Sequence, residues 1–256
     1  MKVSVVLLAI NAEREIARCL KAILGIADEI IVFVDDKTTD KTAAVARKFT
    51  KNVTIVPHLD NFHINKQKAI EKATGDWILQ LDVDEVVSEE LADEVKKTIT
   101  SDPVENGFWL PRPNWFLGRF LRKGGAYPDY TLRLYRRGKG YLPAKSVHEQ
   151  AVVDGQTGYL KNDLLHYAYP RFYNYVERFN RYTDLQAKEV AGGFVTNMFV
   201  KPLFDSRQGF LTIYFRHLGF LDGFPGFVWA LFSALSISIA YLKSLENKYG
   251  NLGKAL

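Results

Sequence analysis

The chain has 256 residues, 47% hydrophobic and 25% charged, with one cysteine and a formal net charge of +5. That length can bury a sizeable core, and the balance excludes a disordered chain, a low-complexity array and a disulfide-stapled scaffold. The modest positive charge suits an anionic partner such as a nucleotide or a phospholipid surface, and with no recognised motif or dense Lys/Arg stripe it argues against nucleic acid.

The apolar run at 3–10 reads as a first strand rather than a signal peptide. Its apolar part is short, and Glu13, Arg14 and Glu15 follow without a small-residue cleavage pattern. An amphipathic helix over 13–24 carries Cys19, whose thiol is expected to be buried and inert. Strand-length apolar runs at 29–34, 53–56 and 77–81 then alternate with helical patterns at 40–49, 66–73 and 89–99. The last helix has Ser88 as N-cap, acids in its first turns and Lys96-Lys97 near its end. These strands are continuous in Val, Ile and Leu rather than alternating, as parallel strands covered on both faces are. The series is βαβ, and the expected fold is a doubly wound, mostly parallel α/β sheet.

In such sheets ligands bind outside the carboxyl ends of the strands. There the sequence places Ala9, Asn11 and Glu13 after the first strand, Asp35-Asp36-Lys37-Thr38-Thr39-Asp40 after the second, and Asp82-Val83-Asp84-Glu85 after the fourth. No glycine-rich phosphate-binding fingerprint follows any strand, which disfavours Rossmann cofactor binding and P-loop chemistry. Two aspartates separated by one residue at a strand end can present oxygens to a hard divalent cation. Mg²⁺ commonly takes one or two carboxylates and completes its shell with substrate phosphate oxygens. The plain alternative is a solvated turn leading into an acidic helix start.

Taken in order, several motifs resemble glycosyltransferase family 2 of the GT-A fold, in the branch that includes bacterial lipopolysaccharide-core glucosyltransferases. They are Val32-Phe33-Val34-Asp35 with Thr39-Asp40 and Thr42, Lys66 before Ala69, and Gly75-Asp76-Trp77-Ile78-Leu79 running to Asp82-Val83-Asp84-Glu85. Gly124-Gly125, Tyr127-Pro128-Asp129, Arg133-Leu134, Val147-His148-Glu149, Leu165-His166-Tyr167 and Phe220-Leu221-Asp222-Gly223 continue the match. The resemblance implies that Ala9, Asn11, Glu13 and Asp35 hold the nucleoside with Lys66 nearby, and that Asp82 and Asp84 hold Mg²⁺ or Mn²⁺ and the diphosphate. The family commonly has Ser-Gly after the first aspartate, where this chain has Asp36-Lys37.

The resemblance also implies inversion at the anomeric carbon, which needs a general base near the acceptor hydroxyl. Asp129, in a turn before the strand-like stretch 130–136, is the first candidate and Glu149 the runner-up. His148 is a candidate metal ligand, ahead of His166. Arg133, Arg136 and Arg137 could grip donor phosphates or a phosphorylated acceptor, solvated strand arginines being the plain alternative, and Trp109, Trp115 and Phe116 could form a sugar platform or core. An amphipathic helix is expected over 171–191. Residues 223–242 carry no formal charge, and 199–220 mix basic and aromatic residues, the pattern of a segment at an anionic membrane surface.

The expected division is a GT-A catalytic domain at 1–168, with a nucleotide-binding half (1–100) and an acceptor half (101–168), then a helical membrane-associated region at 169–256. The expected activity is metal-dependent transfer of a hexose from a nucleotide sugar to a lipid-linked glycan at the cytoplasmic face of the membrane. A polyprenyl-phosphate acceptor and a non-catalytic nucleotide-sugar or membrane-binding module are the alternatives.

Overall fold

The N-terminal apolar runs become the parallel strands of one sheet. A computed structural model describes residues 1–144, 150–190 and 200–249. Its first elements are β1 (Val3–Ala9), α1 (Ile16–Ile23), β2 (Glu29–Asp35), α2 (Thr42–Ala46), β3 (Val53–Val56), α3 (Phe62–Glu71), β4 (Trp77–Asp82), β5 (Glu85–Val87) and α4 (Glu89–Thr100). Next come β6 (Gly107–Leu110), β7 (Trp115–Phe116), β8 (Arg119–Phe120), β9 (Thr131–Arg136), β10 (Gly140–Tyr141), β11 (Val152–Val153), β12 (Thr157–Tyr159) and β13 (Leu164–His166). Helices α5 (Phe172–Val190), α6 (Val200–Leu211) and α7 (Gly223–Tyr249) follow. The chain divides into two compact units, Met1–Pro113 with Asp129–Tyr167, and Asn114–Pro128 with the chain from Ala168 onward.

Among the described residues of the first unit, seven strands pair in the order β12-β6-β9-β4-β1-β2-β3. β4, β1, β2 and β3 are mutually parallel, whereas β9 runs antiparallel to both β4 and β6. The sheet is therefore mostly parallel and doubly wound, as expected, with one reversed strand in its middle. Successive residues of β1 point to opposite faces. Val5 and Leu7 join the core under α1 and α4, while Val6 joins the core that holds Ala69 and Ile70 of α3. α4 buries Leu91, Val95 and Ile99, one residue per turn, each contributing about 1.5–3 kcal/mol relative to exposure. Ser88 caps this helix by accepting from the Leu91 N–H at 3.1 Å.

Helix starts differ from the sequence expectation where local hydrogen bonds decide them. α3 begins at Phe62 because the Asn61 carboxamide accepts from the His63 N–H at 3.1 Å, so Lys66 sits mid-helix and buried. α1 begins only at Ile16, because the residues before it form a turn tied to the loop after β2.

In the second unit, Leu117 and Gly118 both take positive φ and turn β7 back on β8. Phe116 is fully buried there, with the rings of Tyr169, Tyr175 and Trp229 around it. Residues 114–128 thus pack with the C-terminal helices. α5 and α7 are tied by the Lys243 ammonium, which donates to the Asn180 carbonyl (2.9 Å), the Thr183 hydroxyl (2.9 Å) and the Asp184 carboxylate (2.7 Å). α7 extends the uncharged 223–242 run to Tyr249, and its segment is long and apolar enough to cross a membrane by length and composition.

Candidate active site

Strand order reverses beside β1, with β2 and β3 on one side and β4 on the other, so a crevice opens outside the carboxyl ends of β1 and β4. Asp82 ends β4, paired in register with Leu8, and Ala9 is buried at the end of β1. The acids at and just after the end of β4 are matched by cations from α3, from β9 and from the segment after β6.

Lys66 of α3, 2% exposed, and Arg133 of β9 both bind the Asp82 carboxylate, one on each oxygen. Arg133 also donates to Glu85 at 2.7 Å. Glu85 is fully buried, and its other oxygen accepts the Asp82 N–H at 2.9 Å. Arg112 completes the series, donating to Glu85 at 3.0 Å and to Asp129 at 2.7 and 3.2 Å. A continuous ion-pair chain thus runs from Lys66 through Asp82, Arg133, Glu85 and Arg112 to Asp129. Burial alone would raise the Asp82 pKa, but Arg133 and Lys66 hold the carboxyl well below the usual carboxylate range. Burial likewise disfavours the Arg133 cation, and Asp82 and Glu85 outweigh it, so the guanidinium stays charged. Charges this buried persist only when paired.

Asp84 turns the other way. Pairing of β5 with β13 sets Glu85 opposite His166, and the His166 Nε2 lies 3.3 Å from the Asp84 carboxylate. The Tyr167 N–H donates to the Asp84 carbonyl at 2.9 Å and pins this turn. Burial opposes ionisation of Asp84, but the His166 hydrogen bond lowers its pKa. No cage of three or more ligating side chains exists among the described residues. Asp84 and His166, a carboxylate and an imidazole side by side, fit a divalent ion that draws its remaining ligands from a diphosphate. Asp82 has both oxygens engaged by cations.

The other expected donor residues gather at the ends of β1 and β2. Asn11, at φ +45°, accepts from the Thr39 N–H at 2.9 Å. The Glu13 N–H donates to Asp40 at 3.0 Å, and the Glu13 carboxylate accepts the Lys41 N–H at 3.2 Å. Asp35 is buried, accepting from the Lys37 N–H at 2.9 Å and lying 2.8 Å from His58 Nδ1. The unusual Asp36 accepts the His58 N–H at 3.0 Å, so it fastens the loop after β3.

Among the candidate arginines only Arg133 enters this cluster. Arg136 lies over the Trp77 ring and bonds Asp102, and Arg137 donates to the Gly75 carbonyl. Trp109 stacks on Tyr159 in the first unit, while Trp115 and Phe116 belong to the second. His148 and Glu149 lie outside the described residues. Sequence reading missed Arg112, gave Glu85 no role and ranked His166 below His148 as a metal ligand. The one available signal was Glu85 itself, an acid too close to a buried strand to go without a partner.

The site can be set beside known proteins. A glycosyl transferase family 2 model matches residues 4–139. A lipopolysaccharide core biosynthesis glycosyltransferase, LpsC, of Rhizobium meliloti is 25% identical over 93% of this chain and 92% of its own length. An uncharacterized glycosyltransferase of Rickettsia prowazekii is 27% identical over 98% of this chain and 90% of its own. Among solved structures, the mannosyltransferase PcManGT from Pyrobaculum calidifontis, in complex with GDP-Man and Mn²⁺, covers 96% of this chain and 88% of its own at TM-score 0.52. At 15% identity that is a likeness of fold alone. With more than half of its length matched by the family model, and with the GT-A sheet beneath the site, the chain belongs to glycosyltransferase family 2.

Proposed function

We propose that the chain is an inverting, divalent-metal-dependent hexosyltransferase. It moves a hexose from a nucleotide sugar, a UDP-sugar in the first instance, to a hydroxyl of a lipid-linked envelope glycan such as lipopolysaccharide core. The observation that carries the reading is the ion-pair chain from Lys66 to Asp129, which ties the strand-end acids and the candidate base into one frame. The likeness to LpsC supports the acceptor class.

In this reading Ala9, Asn11, Glu13 and Asp35 hold the nucleoside, and Lys66, Asp82 and Arg133 orient the diphosphate. Asp84 and His166 would hold Mg²⁺ or Mn²⁺, which supplies neutralising charge to the departing diphosphate. Asp129, aimed by Arg112, removes the proton of the acceptor hydroxyl. That oxygen bonds to the anomeric carbon from the side opposite the diphosphate, whose bond to the carbon breaks. Buried side chains bracing one another cut the reorganisation this step would otherwise need.

In this reading the enzyme works at the cytoplasmic face of the membrane and the C-terminal unit is the part that meets it; the apolar α7 supports this. α7 lies along that face rather than across it: spanning would carry α5 with it, and with α5 the charges of Arg178, Arg181 and Asp184.

Incubation with UDP-sugars, Mg²⁺ or Mn²⁺ and candidate glycans, with UDP release as readout, tests the proposal. Release is expected to need the metal, to vanish in Asp84→Ala, and to fall at least about a hundredfold in Asp129→Ala. A polyprenyl-phosphate acceptor, already ionised, would leave Asp129→Ala active. Donor binding without turnover over the whole panel would contradict an enzymatic role.

A further inference from the structure

One turn of the C-terminal unit is firmly built and takes no part in the chemistry above. Between α6 and α7 the chain passes through a π-helical turn (Thr212–Arg216), then Leu218, then a 3-10 turn (Gly219–Asp222). Its inner side is closely fixed. Asp222, 1% exposed, accepts the N–H groups of Arg122 at 2.8 Å and Lys123 at 2.7 Å and pairs with Arg119 at 3.4 Å. A Cβ on Gly226 would stand 2.0 Å from the Gly219 carbonyl oxygen, and one on Gly219 would stand 2.8 Å from that of Ile213. These glycines and this aspartate are the frame of the Phe220-Leu221-Asp222-Gly223-Phe224-Pro225-Gly226 stretch.

The outer side is apolar. Phe215, Leu218, Phe220, Leu221, Phe224 and Phe227 are each between 38% and 71% exposed. Leu218 holds φ +58°, a strained conformation for a branched side chain, and still stands at the surface. Soluble surfaces rarely gather this much exposed apolar area without an interaction to serve. Around it Arg119, Lys123 and Arg216 are exposed, while the acid of the turn, Asp222, is buried and satisfied.

We infer that this turn is a preformed insertion tip for an anionic phospholipid bilayer. The inference rests on the membrane-associated part of the proposed function and names the surface responsible. Phe220, Leu221 and Phe224 enter the boundary between headgroups and acyl chains, and Arg119, Lys123 and Arg216 meet lipid phosphates. Exposed apolar residues accompanied by exposed cations match that chemistry. A two-fold contact with a second copy would instead press these cations against their own equivalents. The fixed inner frame means that little ordering is needed when the tip inserts.

Cosedimentation of the full chain with phosphatidylglycerol/phosphatidylcholine vesicles, and with phosphatidylcholine alone, provides the test. The wild type is expected to bind the anionic vesicles and to release from them as salt rises. Leu221→Asp and Phe224→Asp, at exposed positions, should each lower partition by roughly tenfold or more with thermal unfolding unchanged. Arg216→Glu should weaken binding to anionic vesicles alone. Phe224→Trp should be quenched by brominated lipid. Wild-type partition of both Asp variants, absence of wild-type binding, or a dimer in sedimentation equilibrium that these variants dissolve would each overturn the inference. Donor turnover measured without vesicles separates the two readings. Tip variants should keep it and Asp84→Ala should lose it, so a wild type that turns over donor but does not bind vesicles, or Asp variants that bind vesicles as the wild type does, would sink the tip alone. Turnover unaffected by Asp84→Ala, with vesicle binding intact, sinks the catalytic reading alone.

Discussion

Arg112→Met probes the frame at the point where stability and catalysis separate. The substitution keeps the apolar stem and removes the hydrogen bonds to Glu85 at 3.0 Å and to Asp129 at 2.7 and 3.2 Å. Glu85 is fully buried and keeps Arg133 and the Asp82 N–H, so it loses one charged hydrogen bond, about 2 kcal/mol. That is less than the ~3–5 kcal/mol of a buried charge left with no partner. The Asp129 side chain is 42% exposed, so water replaces its lost partner and stability changes there by well under ~1 kcal/mol. Thermal unfolding should accordingly drop by about 4–8 °C. Activity should suffer more, because a base free to rotate meets the acceptor hydroxyl in a productive pose far less often. UDP release should show kcat reduced by roughly a hundredfold with the donor KM little changed. Arg112→Lys should recover part of the stability but little of kcat, lacking the planar fork that spans both carboxylates. If Arg112→Met costs as much in an Asp129→Asn background as alone, Arg112 does not act through Asp129 and the reasoning fails.

His166→Ala should weaken Mn²⁺ binding in the presence of UDP by roughly ten- to a hundredfold, followed by electron paramagnetic resonance, and unchanged affinity would remove His166 from the metal site. Burial opposes ionisation of Glu29, but bonds from the Ser4 hydroxyl, the Thr74 N–H (2.8 Å) and the Thr74 hydroxyl (3.1 Å) lower its pKa. A carboxyl with a depressed folded-state pKa adds stability that is complete above its unfolded value, about 4.3, and lost as pH falls through the folded one. Glu29→Gln should therefore cost about 1–2 kcal/mol at neutral pH and flatten the acid limb of stability measured by urea unfolding. Cys19 is fully buried, and burial together with Glu85, Asp84 and Asp82 pushes its thiol well up. A thiol reagent should label it only after denaturation, and labelling of the native protein at neutral pH would contradict the packing of α1.

The parallel half of the sheet was legible because buried parallel strands must be apolar on both faces. The runs at 3–10, 29–34, 53–56 and 77–81 match β1 to β4 within a residue or two at their ends. Helix boundaries were less legible, since a single capping side chain such as Asn61 moves a start by a full turn. The candidate site was legible where acids fall at strand ends, as at Asp82, Asp84 and Asp35. Arg112 was not, and His166 ranked only behind His148, because their surroundings depend on pairings distant in sequence. The β5–β13 ladder brings His166 to Asp84, and the return of the chain along β9 brings Arg133 to Asp82. Residues 114–128 carry no composition signal that separates them from their neighbours. The aromatic cluster around Phe116 and the bonds of Arg122 and Lys123 to Asp222 assign them to the helical unit.

A crystal structure with UDP and Mn²⁺ bound tests the central claim most directly. The ion should sit between Asp84, His166 and the diphosphate outside the carboxyl ends of β1 and β4, with Asp129 facing the position of the anomeric carbon. Nucleotide lodged elsewhere, with no metal density beside Asp84, would contradict it.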